Sequence, residues 1–371
     1  MATYIIRRML QGLVVLFIST LAIYTILIYT PGGPKDLIDR LKGESGGQVI
    51  INPELARLYT IQYGLDKPYP FGYLTWLFDP SDTTERLYYV EDGSLQVYST
   101  TKGIDLFGIV KGSGVLTGDL SDSVIVDQGK PVIELMGARF GNTLILMGMS
   151  TLVSILIAIP IGIVAAIKQY SKLDYTVTAF SFVGLSMPTF WFGLMLIILL
   201  GILPRQLHNQ GATWLPYLPT GDTGDSINPS FIDRIYHLIL PVAVLSFVNV
   251  AGLSRYVRAS MLEVLRQDYV RTAWAKGLHQ RTVILKHALR NALIPVITIV
   301  TLGLPALFGG AIITETVFNY FGMGKLYFES VGQFDIPLVM GFLLINVTLI
   351  ILANILADVL YAAADPRIRF S

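Results

Sequence analysis

Six stretches free of Lys, Arg, Asp and Glu dominate this chain: 9–34, 140–167, 175–204, 235–254, 291–314 and 336–357. About 20 mostly apolar residues suffice for a helix to cross the hydrocarbon core. In lipid every backbone N–H and C=O must find its partner within the protein. Long continuous apolar runs therefore predict helices, whereas a barrel needs alternation. Only 14% of the 371 residues are charged, against about a quarter in soluble domains. The chain reads as an all-α integral membrane protein with six transmembrane helices.

The loops orient those helices. With the N-terminus inside, segments 1–8, 168–174, 255–290 and the C-terminal tail hold 14 Lys/Arg. The two short opposite loops, 205–234 and 315–335, hold only Arg205, Arg234 and Lys325. Lys and Arg in short loops face the cytoplasm, which places both termini there. Arg7 and Arg8 ahead of an apolar run resemble a signal peptide, but the run is too long and lacks a cleavage site, so a retained first span is expected.

Three parts follow: an N-terminal span (1–34), an extracytoplasmic cap (35–139), and a five-helix core (140–371) with a cytoplasmic loop at 255–291. A connection as long as 35–139 implies a folded cap. Within it LYYVEDGSLQVY (87–98) reads as a β-hairpin turning at Asp92-Gly93. Pro160, Pro188, Pro241, Pro295 and Pro305 fall inside or at the mouths of spans, where kinks are expected.

The loop 255–291 is the most patterned part. Eight Lys/Arg stand there against Glu263 and Asp268. Apolar residues at Val257, Met261, Val264, Leu265, Tyr269, Ala273 and Trp274 predict one helix over 257–276. Gly277 ends it, since glycine readily takes the left-handed conformation that stops helices. A second helix begins near Gln280 and runs into the fifth span. Charge and periodicity leave two readings open: an amphipathic helix lying on lipid, or a lever that transmits a push into the membrane.

Several functions lack their residues. Net charge is +1, and the basic residues sit in membrane-flanking loops, so nucleic-acid binding has no support. With no cysteine there is no thiolate chemistry. His208, His237, His279 and His287 form no H-E-x-x-H, and no acid pair lies within a span, which argues against an intramembrane protease. An ion channel or carrier usually places charge mid-membrane. Here Glu315 and Asp358 stand at span ends and read as interfacial caps. Asn249, Asn346 and Asn354 are the polar groups nearest mid-span; interhelical bonding and substrate contact both remain open.

The segment DYVRTAWAKGLHQRTVILKHALRNALIPV (268–296) resembles the cytoplasmic signature loop of binding-protein-dependent ABC importer permeases, in particular the dipeptide/oligopeptide/nickel family. Arg271, Thr272 and Ala273 match the small-residue triplet, Gly277 the glycine, and Leu293, Ile294 and Pro295 the ending. Arg271 replaces the acid of the wider superfamily, as this branch does, and Trp274 is bulkier than usual. The PGGP at 31–34, QYGLDKPYPFGYLTWL (62–77), LSMPTFWFGL (185–194), GGAIITETVFNYFGMGKL (309–326) and ADVLYAAADPRIR (357–369) continue the likeness in order. Residues 79–117 look like an insertion.

The resemblance implies a type I ABC importer permease fold and a non-catalytic membrane subunit of a prokaryotic inner-membrane transporter. It implies di- or oligopeptide import, with nickel chelates, glutathione or oligosaccharides as alternatives. The implied partners are a second, non-identical permease, two cytoplasmic ATPase subunits that use ATP and Mg, and an extracytoplasmic substrate-binding protein. The chain itself would bind no cofactor; it has no G-x-x-x-x-G-K-[ST] phosphate loop, and GMGKL (322–326) lacks that spacing. The residues implied to couple to the ATPase are Asp268, Tyr269, Arg271, Thr272, Ala273, Lys276, Gly277 and Leu278. Asn249 and Asn346 are the candidates for the substrate pathway.

Overall fold

The computed structural model describes residues 2–31, 33–41, 67–78, 88–91, 94–97, 130–223, 230–303 and 311–364, with positions 60, 65, 120, 123 and 125–127. Six helices among these residues are long and apolar enough to cross a membrane: Ile6–Asp36, Val132–Ile167, Thr189–Asn209, Phe231–Leu265, Gln280–Thr301 and Ile336–Leu356. Each overlaps one apolar run of the sequence, the third and fifth only in part. The chain clusters into two compact units, Met1–Phe140 with Leu326–Ile351, and Gly141–Lys325 with Leu352–Ser371.

The first unit contains α1 (Ala2–Tyr29), α2 (Pro34–Leu41) and α3 (Phe71–Phe78). Strands β1 (Tyr88–Glu91) and β2 (Ser94–Val97) pair antiparallel with Glu91 opposite Ser94; residues 92–93, at the expected turn, lie outside the described residues. Tyr73 of α3 is buried, and its hydroxyl shares a 2.7 Å hydrogen bond with the Thr20 hydroxyl of α1. The rings of Phe17 and Tyr24 flank it at 5.7 and 5.6 Å. A second tie is made by Asp335, fully buried just ahead of α14 (Ile336–Ala364). Its Oδ2 accepts from the Ser123 hydroxyl at 2.6 Å and from the amides of Ile125 and Val126 at 3.0 Å. One carboxylate thus anchors the segment before α4 (Val132–Ile167) to the entry of the last span.

The second unit holds most of α4, then α5 (Lys172–Ser186), α6 (Thr189–Leu196) and α7 (Leu203–Asn209), with a π-helical turn Ile197–Ile202 joining the last two. The run 175–204, expected as one span, is therefore broken. Met187 is extended (φ −83°, ψ 123°), because the ring of Pro188 clashes with a helical residue before it. Pro160, Pro241 and Pro295 lie inside helices without ending them.

Helix α8 (Phe231–Leu265) runs unbroken through the fourth apolar stretch into the basic segment. The single helix expected over 257–276 is divided at Arg266 and Gln267. The short α9 (Asp268–Ala275) follows, starting from an extended Gln267 (ψ 147°). After a corner come α10 (Gln280–Thr282), a π-helical turn Val283–Ala288 and α11 (Leu289–Gly303). Helices α12 (Ile312–Val317) and α13 (Met323–Gln333) precede α14.

Small residues set the helix spacing where hydrophobic burial gives no net drive in lipid. A Cβ at Gly162 of α4 would stand 2.6 Å from Val257 Cβ and 2.8 Å from the Ser254 carbonyl of α8. At Gly184 of α5 it would meet Ala251 Cβ at 2.8 Å. Gly162→Ala forces α4 and α8 apart and is expected to cost about 1–3 kcal/mol, read as a lower thermal unfolding midpoint in detergent. An unchanged midpoint would show that the two helices do not touch there.

Candidate coupling site

Helix α9 spans eight residues and is too short to hold its shape alone. Its position comes from two residues turned inward, Val270 and Ala273, which are 0% and 5% exposed. They join a cluster with Ala166 of α4, Val257 and Met261 of α8, Val283, Ile284 and Ala288 of the π-helical turn, and Ala292 and Val296 of α11. Burying a valine of this kind from water contributes about 1.5–3 kcal/mol. The cluster joins the short helix directly to the base of the fifth span.

The rest of α9 faces outward. Asp268, Tyr269, Arg271, Thr272 and Trp274 are exposed, as are Lys276, Gly277 and Leu278 just beyond. Arg271 and Asp268 lie 3.7 Å apart on the surface, a pair of small energetic weight. The Tyr269 hydroxyl accepts from the Asn291 amide of α11 at 2.9 Å, a second link between the helix and the span. Ala273 alone among the eight candidates is buried. Its small size serves packing within the chain and leaves no surface for a partner.

Gly277 builds the corner. Its φ is +70°, and a Cβ there would meet nothing within 4 Å. The requirement is conformational and not steric. The Gly277 amide donates to the Trp274 carbonyl at 2.9 Å and the Leu278 amide to Ala273 at 3.4 Å, the paired bonds that close a helix on a left-handed residue. His279 then caps α10, its Nδ1 accepting from the Arg281 amide.

An ion pair that sequence reasoning missed braces the same end of α8. Arg258, counted there only as one of eight basic residues, grips Asp174 with two parallel bonds of 2.5 and 2.7 Å. The Asp174 side chain is 3% exposed and that of Arg258 26%. Asp174 also accepts from the Tyr170 amide at 3.0 Å, while the Ser171 hydroxyl caps α5 by accepting from the Asp174 amide. The signal in the sequence was Ser-x-x-Asp opening a helix, in an otherwise basic short loop.

Glu315 corrects another expectation. It is no interfacial cap but fully buried in α12. Oε1 accepts from the Thr143 hydroxyl of α4 at 2.8 Å, and Oε2 from the Lys325 amide at 3.0 Å, with the Gly324 amide also donating. The Thr143 oxygen in turn accepts from the Met323 amide at 2.8 Å. A Cβ at Gly322 would collide with the carboxylate, and at Gly324 would stand 2.8 Å from the Ile312 Cα. The GMGK run is thus a backbone cradle filled by the chain's own carboxylate. Burial raises the Glu315 pKa, against the hydrogen bonds that lower it.

Asn249 is exposed on α8, and Asn346 is half-buried on α14. They belong to different compact units.

Six helices long and apolar enough to cross a membrane, with a short outward-facing helix packed against the base of one of them, define a multi-pass membrane protein. Residues 158–370 match the family described as binding-protein-dependent transport system inner membrane component. The chain belongs to that family. It is 38% identical over 376 residues to the oligopeptide transport system permease protein AppB of Bacillus subtilis (strain 168), with all of both chains covered. It is 35% identical over 384 residues to the dipeptide transport system permease protein DppB of Escherichia coli (strain K12), covering 100% of this chain and 99% of the relative. Among solved structures, an inward facing conformation of the MetNI methionine ABC transporter shares the fold. The TM-score is 0.50 at 16% identity, covering 63% of this chain and 97% of that one.

Arg258 holds the Asp174 carboxyl below the usual carboxylate range. Folding therefore favours the ionised form. The contribution is complete above the ordinary aspartate pKa of about 4 and is lost as pH falls through the lowered value. Asp174→Asn strands a partly buried guanidinium and is expected to cost about 3 kcal/mol near neutrality. The gap in unfolding midpoint between the native protein and D174N should narrow below about pH 4. A gap at pH 3 as wide as at neutrality would show that the ion pair is not its source.

Glu315→Gln turns an amide NH₂ toward a ring of donors. The expected loss is about 1–3 kcal/mol, with faster hydrogen exchange in residues 320–325. Exchange rates matching the native protein would remove the carboxylate as organiser of that turn.

Proposed function

We propose that this permease conducts di- and oligopeptides into the cell as one of two non-identical permeases, above two cytoplasmic ATPase subunits that use ATP and Mg. An extracytoplasmic binding protein delivers the ligand. The observation that carries this reading is α9: an outer face exposed over most of its length, and an inner face fixed to the base of the fifth span. A push on such a helix moves α11 as well, because Val270, Ala273 and the Tyr269–Asn291 bond leave little play between them. ATP-driven closure of the partner subunits would then tilt the fifth span and switch the cavity between inward-open and outward-open.

Peptides are favoured as cargo because relatives aligned over the whole chain carry oligopeptide and dipeptide transport names at 35–38% identity. A pathway with few fixed charges suits ligands of varied side chain, and Asn249 and Asn346 are the candidates to meet a peptide backbone. Both termini are assigned to the cytoplasm on the strength of the Lys/Arg asymmetry between short loops.

Gly277→Val introduces a side chain that resists positive φ by about 1–2 kcal/mol, with no clash to relieve. In proteoliposomes holding the full transporter, ATP hydrolysis should persist while peptide uptake falls about tenfold, the factor that such an energy implies. Normal uptake in G277V would sink the lever. The ligand carried by the co-purifying binding protein, identified by mass spectrometry, decides cargo: a peptide mixture supports this reading, and a nickel chelate, glutathione or oligosaccharide replaces it.

A further inference from the structure

At the end of the third span the chain builds a cavity that the transport reading does not use. After α7 the segment 210–220 folds back on the helix. The Leu218 amide donates to the Leu200 carbonyl at 2.9 Å, and His208 Nδ1 lies 3.2 Å from the Leu215 carbonyl. This return is possible because Leu200 lies in the π-helical turn Ile197–Ile202. A π-bulge shifts the i→i−4 ladder and releases a carbonyl, and such bulges are frequent at functional sites. Gly201 faces the returning strand, where a Cβ would collide with the Thr220 methyl.

Between helix and return lies a cavity of about 390 Å³. Arg205, Gln206 and Asn209 line one side; Tyr217, Leu218 and Thr220 line the other. The Arg205 guanidinium sits 5.9 Å from the Tyr217 ring centre, and no acidic partner for it occurs among the described residues. A planar guanidinium with free donors, beside two amides and a hydroxyl, matches a phosphate group.

The surroundings say which phosphate. Ile198, Leu199, Leu203 and Leu207 on the same helical stretch are all exposed, giving an apolar flank below the cation. Tyr217 lines the cavity, and Trp214, 80% exposed, precedes it by three residues in the same return; both are residue types that settle at headgroup level. The ligand that complements an apolar flank ending in a cation-lined cavity is an amphiphile with an anionic head. We propose that Arg205, Gln206, Asn209 and Tyr217 form a binding site for the phosphate headgroup of an anionic phospholipid. The leaflet, extracytoplasmic, rests on the topology proposed above; the site itself does not.

The test uses the full chain with its co-purifying subunits in mild detergent, relipidated with phosphatidylglycerol or phosphatidylcholine and followed by native mass spectrometry. Phosphatidylglycerol should be retained about tenfold over phosphatidylcholine, which has the same phosphate but a choline cation that Arg205 repels and that cancels the headgroup's net charge. That preference should vanish in Arg205→Gln, survive in part in Arg205→Lys, and be unchanged in Arg234→Gln. Equal retention by the native protein and R205Q would overturn the site, and so would displacement by glycerol 3-phosphate, which would assign it to a soluble phosphate. Weaker capture of an acidic extracytoplasmic protein by R205Q, with lipid retention unaltered, would overturn it in favour of a protein contact. Because the chain has no cysteine, Ala212→Cys with a membrane-impermeant maleimide reads the leaflet separately. Labelling from the cytoplasmic side alone would move the site to the inner leaflet and refute the topology without touching the lipid preference.

Discussion

Helix α9 has eight residues, and everything it does depends on Val270 and Ala273 staying buried. Helix nucleation is costly and a segment this short recovers little from its own hydrogen bonds. Packing supplies the remainder. The cluster of valines, alanines, an isoleucine and a methionine, drawn from α9 and four other elements, fixes α9 against the feet of α8 and α11. Gly277 at φ +70° turns the chain so that the next helix can reach the membrane. Loss of that packing would free α9 to lie on lipid as an amphipathic helix, the other reading that charge and periodicity leave open.

Three buried acids fix the loops, each within its own part of the chain. Asp174 fastens the turn that opens α5 to α8 through Arg258. Asp335 draws the amides of Ile125 and Val126 to the head of α14. Glu315 fills the cradle of Gly322 to Lys325. Removing a carboxylate from water is costly unless donors surround it, and each of the three has several. A membrane protein with few charges places them where the backbone leaves the helix and hydrogen-bond donors are free.

The spans were legible because lipid imposes one rule on twenty consecutive residues, which composition records directly. The corner at Gly277 was legible because few residues accept a positive φ. The division at Arg266 and Gln267 was not. Val257, Met261, Tyr269 and Ala273 keep helical spacing across it, and neither glycine nor proline marks the break. Pro188 ends a helix while Pro160, Pro241 and Pro295 lie inside theirs, a difference the residue type alone does not mark. Of the coupling candidates, the residue types were readable but their facing was not: Ala273 points into the core while Arg271 and Thr272 point out.

By itself the sequence determined what is local: six apolar runs, the basic loop between the fourth and fifth, and the glycine that turns it. Tertiary structure decided what depends on distant partners: Arg258 with Asp174 across 84 positions, and Glu315 with Thr143 across 172. Periodicity and charge report on a residue's neighbours along the chain. A buried ion pair or a filled cradle depends on groups that only folding brings within about 3 Å.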